Sequence, residues 1–247
     1  MATKRRPATR ARSAIFAPLG DEGRAVRVEN RLAEAIRSGV LADGERLPSE
    51  PELAAMLGVA TVTAREALVA LRAQGLVTTT RGRGGGSFVT RPDPDAAGQL
   101  SSRLRAMTRV ELRDRATMYA VILAGCAELA AELSDPTDVE GLRLLLVDPA
   151  EPDVGRWRQA DSELYLSVAA LTQSARMTRE VVRLEADFGA LLRLPLADAD
   201  FRAATAARHV ALVDAIERRD RDAARACVRE HVALALEALA DLHASVP

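Results

Sequence analysis

Lysine is all but missing from this sequence: Lys4 is the only one in 247 residues, so positive charge comes almost entirely from arginine. Chemistry that needs a Schiff-base lysine in a folded site is excluded with it. Cysteine is as scarce. Cys126 and Cys227 stand among apolar neighbours in helical patterns, which reads as two buried thiols rather than a disulfide framework. There is no uninterrupted apolar run of about 18 residues, and no signal-peptide pattern follows the basic start. A cytoplasmic protein without a membrane partner is therefore expected. Beyond residue 96 no segment shows convincing strand alternation, so the second half should not be built on a sheet.

What is present divides unevenly along the chain. The formal charge of −1 hides 15 Lys/Arg against 9 Asp/Glu in residues 1–92, and 19 against 26 in residues 93–247. A basic front suits phosphate contact, whereas an acidic rear argues against a protein that merely coats nucleic acid. The length allows two domains with separate cores. Residues 1–22 read as a basic disordered arm, 23–91 as the first domain, 92–96 as a proline-stiffened linker, and 97–247 as the second domain.

Residues 47–90 carry the most specific pattern. Ser49 and Glu52 form a capping box at the start of a short helix that stops at Gly58. A second helix follows, with Ala64, Ala67, Leu68 and Leu71 inward and Thr61, Thr63 and Arg65 outward near its N-terminus. Two β-branched runs then flank the glycine-rich tip Arg81-Gly82-Arg83-Gly84-Gly85-Gly86. Two short helices, a tight turn and a basic hairpin describe a winged helix-turn-helix, which presents a helix end and an arginine loop to double-stranded DNA. Candidate DNA-binding residues are Ser49, Thr61, Thr63, Arg65, Arg81, Gly82 and Arg83.

Residues 31–91 resemble the winged-helix domain of the GntR family of bacterial transcription regulators. The resemblance rests on Arg46-Leu47-Pro48-Ser49-Glu50, Glu52-Leu53-Ala54, Leu57-Gly58-Val59, Arg65-Glu66-Ala67-Leu68, Gly75-Leu76-Val77 and the glycine-rich tip. It implies a recognition helix in the major groove and a wing in the minor groove. Pro51, Ala60 and Thr61 depart from residues common in the family.

The rest of the chain reads as an all-helical bundle of about seven helices, so the fold class is mainly α. The long helix from Arg109 to Leu133 is expected to turn Met118, Val121, Ile122, Cys126, Leu129 and Leu133 inward. His209 and His231 stand ten residues before Arg219 and eleven after Asp220, in a tight connection between two helices. At about 1.5 Å per residue, an antiparallel pair brings them side by side. Asp161 and Tyr165, four apart, share a face of another helix. One carboxylate and two imidazoles of this kind suit a divalent transition metal of the zinc or nickel type.

Residues 97–240 resemble the FCD effector domain of the FadR-like branch of the same family, in which an Asp and three His build a metal pocket. Asp161, His209 and His231 match three of these positions, and Tyr165 stands in place of the second His. Tyr119 aligns near a position where related domains often carry an arginine. The resemblance implies metal ligands Asp161, His209 and His231 and an effector site of Asp161, Tyr165, His209 and His231. Two other readings of those residues stay open: histidines hydrogen-bonded in a pocket without metal, or a Tyr165, His209 and His231 cradle for an organic acid. The expected function is a homodimeric, ligand-responsive repressor on an inverted-repeat operator, released by a small carboxylate-type effector. The alternative is a metal-dependent enzyme or metal sensor, although no nucleophile or general base stands at a defined spacing.

Overall fold

Helix α1, Arg24–Ser38, buries Val28, Leu32, Ala35 and Ile36 on one face and stops where Gly39 turns left-handed, with φ 87°. The computed structural model describes Arg12, Ile15, Phe16 and residues 23–82, 84–91 and 98–245. Two short helices follow, α2 (Glu50–Leu57) and α3 (Thr61–Ala73), with their axes bent by 111°. Gly58, at φ 67°, makes the corner. Strands β1 (Val77–Thr80) and β2 (Gly86–Val89) form an antiparallel hairpin, Val77 opposite Val89 and Thr80 opposite Gly86. The segment before α2 joins this hairpin: the Leu47 amide donates to Ser87 and the Val89 amide to Glu45. A winged helix-turn-helix is thus present as expected.

The second half is helical throughout its described residues. Its elements are α4 (Gln99–Ala106), α5 (Arg109–Leu133), α6 (Pro136–Arg143), α7 (Val154–Leu171), α8 (Ala175–Leu184), α9 (Ala199–Glu217) and α10 (Arg221–Ser245). Side-chain caps begin most of them. Thr108 accepts from Glu111, Asp135 from Asp138, Ser174 from Met177 and Asp198 from Phe201, which satisfies amides that lack helical partners. Helix α5 packs mainly on α10 and α7, and α9 lies along α10. Arg219, left-handed at φ 58°, makes the α9–α10 corner and donates to the carbonyls of Glu132 and Ser134 at the end of α5.

Three inward assignments on α5 need correction: Met118, Val121 and Leu133 are exposed. The buried stripe is Leu112, Ala116, Tyr119, Leu123, Cys126, Ala127 and Ala130. Alanine and glycine give this helix little amphipathic contrast, so composition alone did not fix its rotation. By length and hydropathy α5 could also cross a membrane, but it runs through the helical bundle with its alanine face against α10. Cys126 is fully buried; Cys227, read as buried, is half-exposed because it flanks the inward Ala224–Val228 stripe of α10. Helix α8 runs on into a π-turn at Glu185–Gly189, followed by a last α-turn at Ala190–Leu192 and a 3-10 turn at Leu194–Ala197.

The two halves touch. Helix α1 packs against α8 and the π-turn, and the Ser162 hydroxyl of α7 lies 2.9 Å from the Ser38 carbonyl oxygen at the end of α1.

Candidate functional sites

The hairpin and α3 form one exposed surface. Arg65 projects from the first turns of α3 and its Nε donates to Glu50 Oε2 at 2.8 Å, which aims the guanidinium while leaving most of it open to solvent. Thr61 is exposed and Thr63 half-buried, because Thr63 flanks the inward stripe of α3. The Ser49 hydroxyl and amide both donate to Glu52, at 2.6 and 2.9 Å, so Ser49 is committed to the capping box. Arg81 and Gly82 are exposed at the wing tip; Arg83 lies outside the described residues.

Arg46 is a residue the sequence reading missed. Its Nη2 donates to the Gly85 carbonyl at 2.7 Å and its guanidinium crosses Gly86. A Cβ on Gly85 would stand 2.5 Å from the Thr80 carbonyl, so close approach of backbone requires that glycine, whereas one on Gly86 would meet only the movable Arg46 guanidinium, at 2.8 Å from Nε. Between this tip and α2 runs a concave groove of about 930 Å³, lined in part by Arg46, Ser49, Glu50, Thr79 and Gly85.

The second site lies inside the helical bundle, where α7, α9 and α10 meet. The mirrored spacing about Asp220 does bring the histidines together: their ring centroids are 5.4 Å apart. The Tyr165 ring stands 5.8 Å from His209 and 5.4 Å from His231. Asp161 Oδ1 is 3.0 Å from His209 Nε2 and 3.5 Å from His231 Nε2, and all four residues are buried. Burial pushes the Asp161 carboxyl up, but hydrogen bonds from the two imidazoles outweigh it and hold the group well below the ordinary carboxylate range. Burial lowers the His209 imidazole, against its bond to Asp161. Tyr165 is raised well above its ordinary value, first by burial and then by the Asp161 charge, so its phenol keeps its proton.

Behind this cluster lies a buried ion pair that sequence reasoning did not find. Arg193 Nη1 is 2.6 Å from Glu185 Oε2 and 3.5 Å from Asp161 Oδ2, and the Tyr119 hydroxyl donates to Glu185 Oε1. Burial alone would lower the Arg193 guanidinium, but Glu185 and Asp161 reverse this and hold it charged. Both tyrosines of the chain therefore line this region, with Tyr119 on Glu185 rather than facing the imidazoles. The available signal was Arg193 itself, one charge inside Leu191-Leu192-Arg193-Leu194-Pro195-Leu196. Among the buried polar atoms without a hydrogen-bond partner in the described residues are His231 Nδ1 and Thr205 Oγ1, the latter one turn before His209.

A helix-turn-helix with a basic wing, joined to a helical domain with a closed polar site, defines a ligand-responsive DNA-binding protein. Residues 24–89 match the bacterial regulatory proteins of the gntR family and residues 114–234 match the FCD domain. The HTH-type transcriptional regulator RmpR of Mycobacterium gastri is 33% identical over 226 residues, covering 89% of this chain and 81% of that protein. The HTH-type transcriptional repressor NanR of Citrobacter rodentium is 27% identical, covering 92% and 89%. A GntR-family regulator structure from Pseudomonas syringae pv. tomato str. DC3000 aligns over 97% of this chain and 96% of its own, at 21% identity and TM-score 0.47. The chain belongs to the GntR family of transcription regulators, in its FadR-like branch with an FCD effector domain. This family and these relatives are transcription regulators, not enzymes.

Proposed function

We propose that this regulator is a cytoplasmic repressor that binds an inverted-repeat operator as a homodimer and leaves it when a small organic acid fills the Asp161, Tyr165, His209 and His231 site. In this reading Ser49, Thr61, Thr63, Arg65, Arg81, Gly82 and Arg83 face DNA, and the domain boundary in sequence falls at 92–96, outside the described residues. The NanR relative carries the name repressor, which supports that sign of control. Two winged helices would match the two halves of an inverted repeat.

The observation that carries the effector reading is the buried convergence of donors with His231 Nδ1 and Thr205 Oγ1 left unpartnered. Native interiors rarely leave such atoms unpaired without a ligand or water to serve them. One donor atom from each of Asp161, His209 and His231 lies within 4.8 Å of the others, which fits a zinc- or nickel-type ion. A bound ion would supply positive charge to orient an effector carboxylate. Charge balance favours that pair. Count Asp161 and Glu185 as carboxylates, Arg193 as a cation and the imidazoles in the neutral form a metal requires. The interior then holds one net negative charge; a divalent ion makes it positive, and a single carboxylate cancels the remainder. Tyr165 positions the effector and excludes water rather than ligating.

Zinc titration calorimetry tests this. Wild type should bind one equivalent, His209→Ala should not, and Tyr165→His should tighten binding at least about tenfold by adding a fourth donor. Equal zinc binding by His209→Ala would remove the metal from this site.

A further inference from the structure

Ser162 follows Asp161 on α7 and faces two acceptors. Its hydroxyl oxygen is 2.9 Å from the Ser38 carbonyl oxygen and 3.3 Å from Glu185 Oε2. A serine hydroxyl has one proton, so it serves one acceptor at a time. Both acceptors are buried, and neither is indifferent to losing it. The Ser38 carbonyl belongs to the last turn of α1, where helical partners run out. The neighbouring Arg37 carbonyl is met by Arg91 Nη2 at 3.4 Å. Glu185 Oε2 depends on Arg193 for charge compensation.

The remaining polar contact between the halves is rich in charge of both signs. Arg27 and Arg31 of α1 face Arg176, Arg179 and Arg183 of α8 across a cleft of about 560 Å³, with Glu34 and Glu180 the acids lining it among the described residues. Burial and Arg179 together lower the Arg31 guanidinium. The setting of α1 on the helical domain combines apolar packing with a few buried polar contacts. The π-turn holds the ion pair against them: at Gly189 any side chain would collide with the Glu185 carboxylate. Such π-turns frequently mark functional sites.

We propose that Ser162 is the positioning residue that carries the state of the effector site to α1, its proton passing between the Ser38 carbonyl and Glu185 according to where Arg193 is engaged. This rests on the reading of the Asp161 cluster as the effector site. Arg193 Nη1 is shared, 2.6 Å from Glu185 and 3.5 Å from Asp161. When Asp161 is neutralised, by a cation or by substitution, Arg193 turns wholly to Glu185 and weakens it as an acceptor. The hydroxyl then stays on Ser38 and α1 is held. An effector carboxylate that draws the guanidinium away leaves Glu185 uncompensated. Glu185 then takes the hydroxyl, the Ser38 carbonyl is released, and the winged helix loosens on its support. The two acceptors of one proton are the two-state element that such coupling requires.

Hydrogen exchange of the full-length protein tests it, read at the Gly39 and Leu41 amides that close the last turn of α1. Saturating zinc in wild type, and Asp161→Asn without metal, should each slow exchange about three- to fivefold. In Ser162→Ala, which removes the hydroxyl and little packing volume, neither should change it, while zinc affinity by calorimetry stays at the wild-type value. Undiminished slowing in the Ser162→Ala background, or none from Asp161→Asn in the wild-type background, overturns the proposal. Failure of wild type to bind zinc would sink the metal reading alone, since the Asp161→Asn comparison still decides the coupling. Circular dichroism of Ser162→Ala and its Asp161→Asn double variant verifies folding, and Ser162→Thr, which retains a hydroxyl, should restore the response where Ala abolishes it.

Discussion

At the scale of the residue, His209 and Asp161 tie the stability of the helical domain to pH in one direction. The folded His209 imidazole titrates below its ordinary 6.5, because burial disfavours the imidazolium. The unfolded chain therefore takes up that proton first, and stability is complete above about pH 6.5 and falls below it. Asp161 adds to the loss in stronger acid: its folded carboxyl lies below the ordinary 3.8, so its contribution is present above that value and disappears beneath it. Thermal unfolding should give a Tm that is flat above pH 6.5 and declines toward about pH 5, with His209→Gln flattening that decline. A Tm that rises on acidification in this range contradicts the burial argument. Arg65 bears on the other function. Glu50 pre-aims its guanidinium, and a base contact of that kind is worth about 1–3 kcal/mol. Arg65→Ala should weaken operator binding by roughly five- to 150-fold at matched salt, measured by fluorescence anisotropy; unchanged affinity would mean that α3 docks differently.

Among the elements, α5 combines two roles. Its alanine-rich inner face lets α10 approach closely, while Val110, Met118 and Val121 stay on its outer side. Exposed apolar side chains along one helix suit a second copy of the chain, as the proposed inverted-repeat operator would require. Val121→Glu should shift the protein toward monomer in sedimentation velocity while leaving its helical content by circular dichroism unchanged, because Val121 is 55% exposed. A dimer of unchanged strength would move the interface elsewhere. The same helix shows where the sequence was legible and where it was not. The capping box at Ser49, the Gly58 corner and the His209–His231 pairing depend on local spacing, and spacing is written in sequence. The rotation of α5 was not, since so many of its residues are small and apolar. Nor was the Glu185–Arg193 pair, because a π-turn inserts an extra residue that shifts side chains off the α-helical period. Arg46 beneath the wing tip was hidden too, being 39 residues from its Gly85 partner.

For the whole molecule, the proposed function requires the buried cluster of α7, α9 and α10 to govern what α3 and the wing do. The two lie in different halves of the chain, and among the described elements α1 offers a route between them, packing on both α3 and the π-turn. A ligand can shift that arrangement only as far as it prefers one state over the other. The most direct measurement is operator affinity of wild type and of the His209→Ala, His231→Ala double variant, each with and without an organic acid selected by thermal-shift screening of wild type. The expected result is wild-type operator affinity in the unliganded double variant, and an acid-induced loss of affinity, about five- to 150-fold in wild type, that the double variant no longer shows. An undiminished response in the double variant would contradict the claim and place the sensing site elsewhere in the bundle.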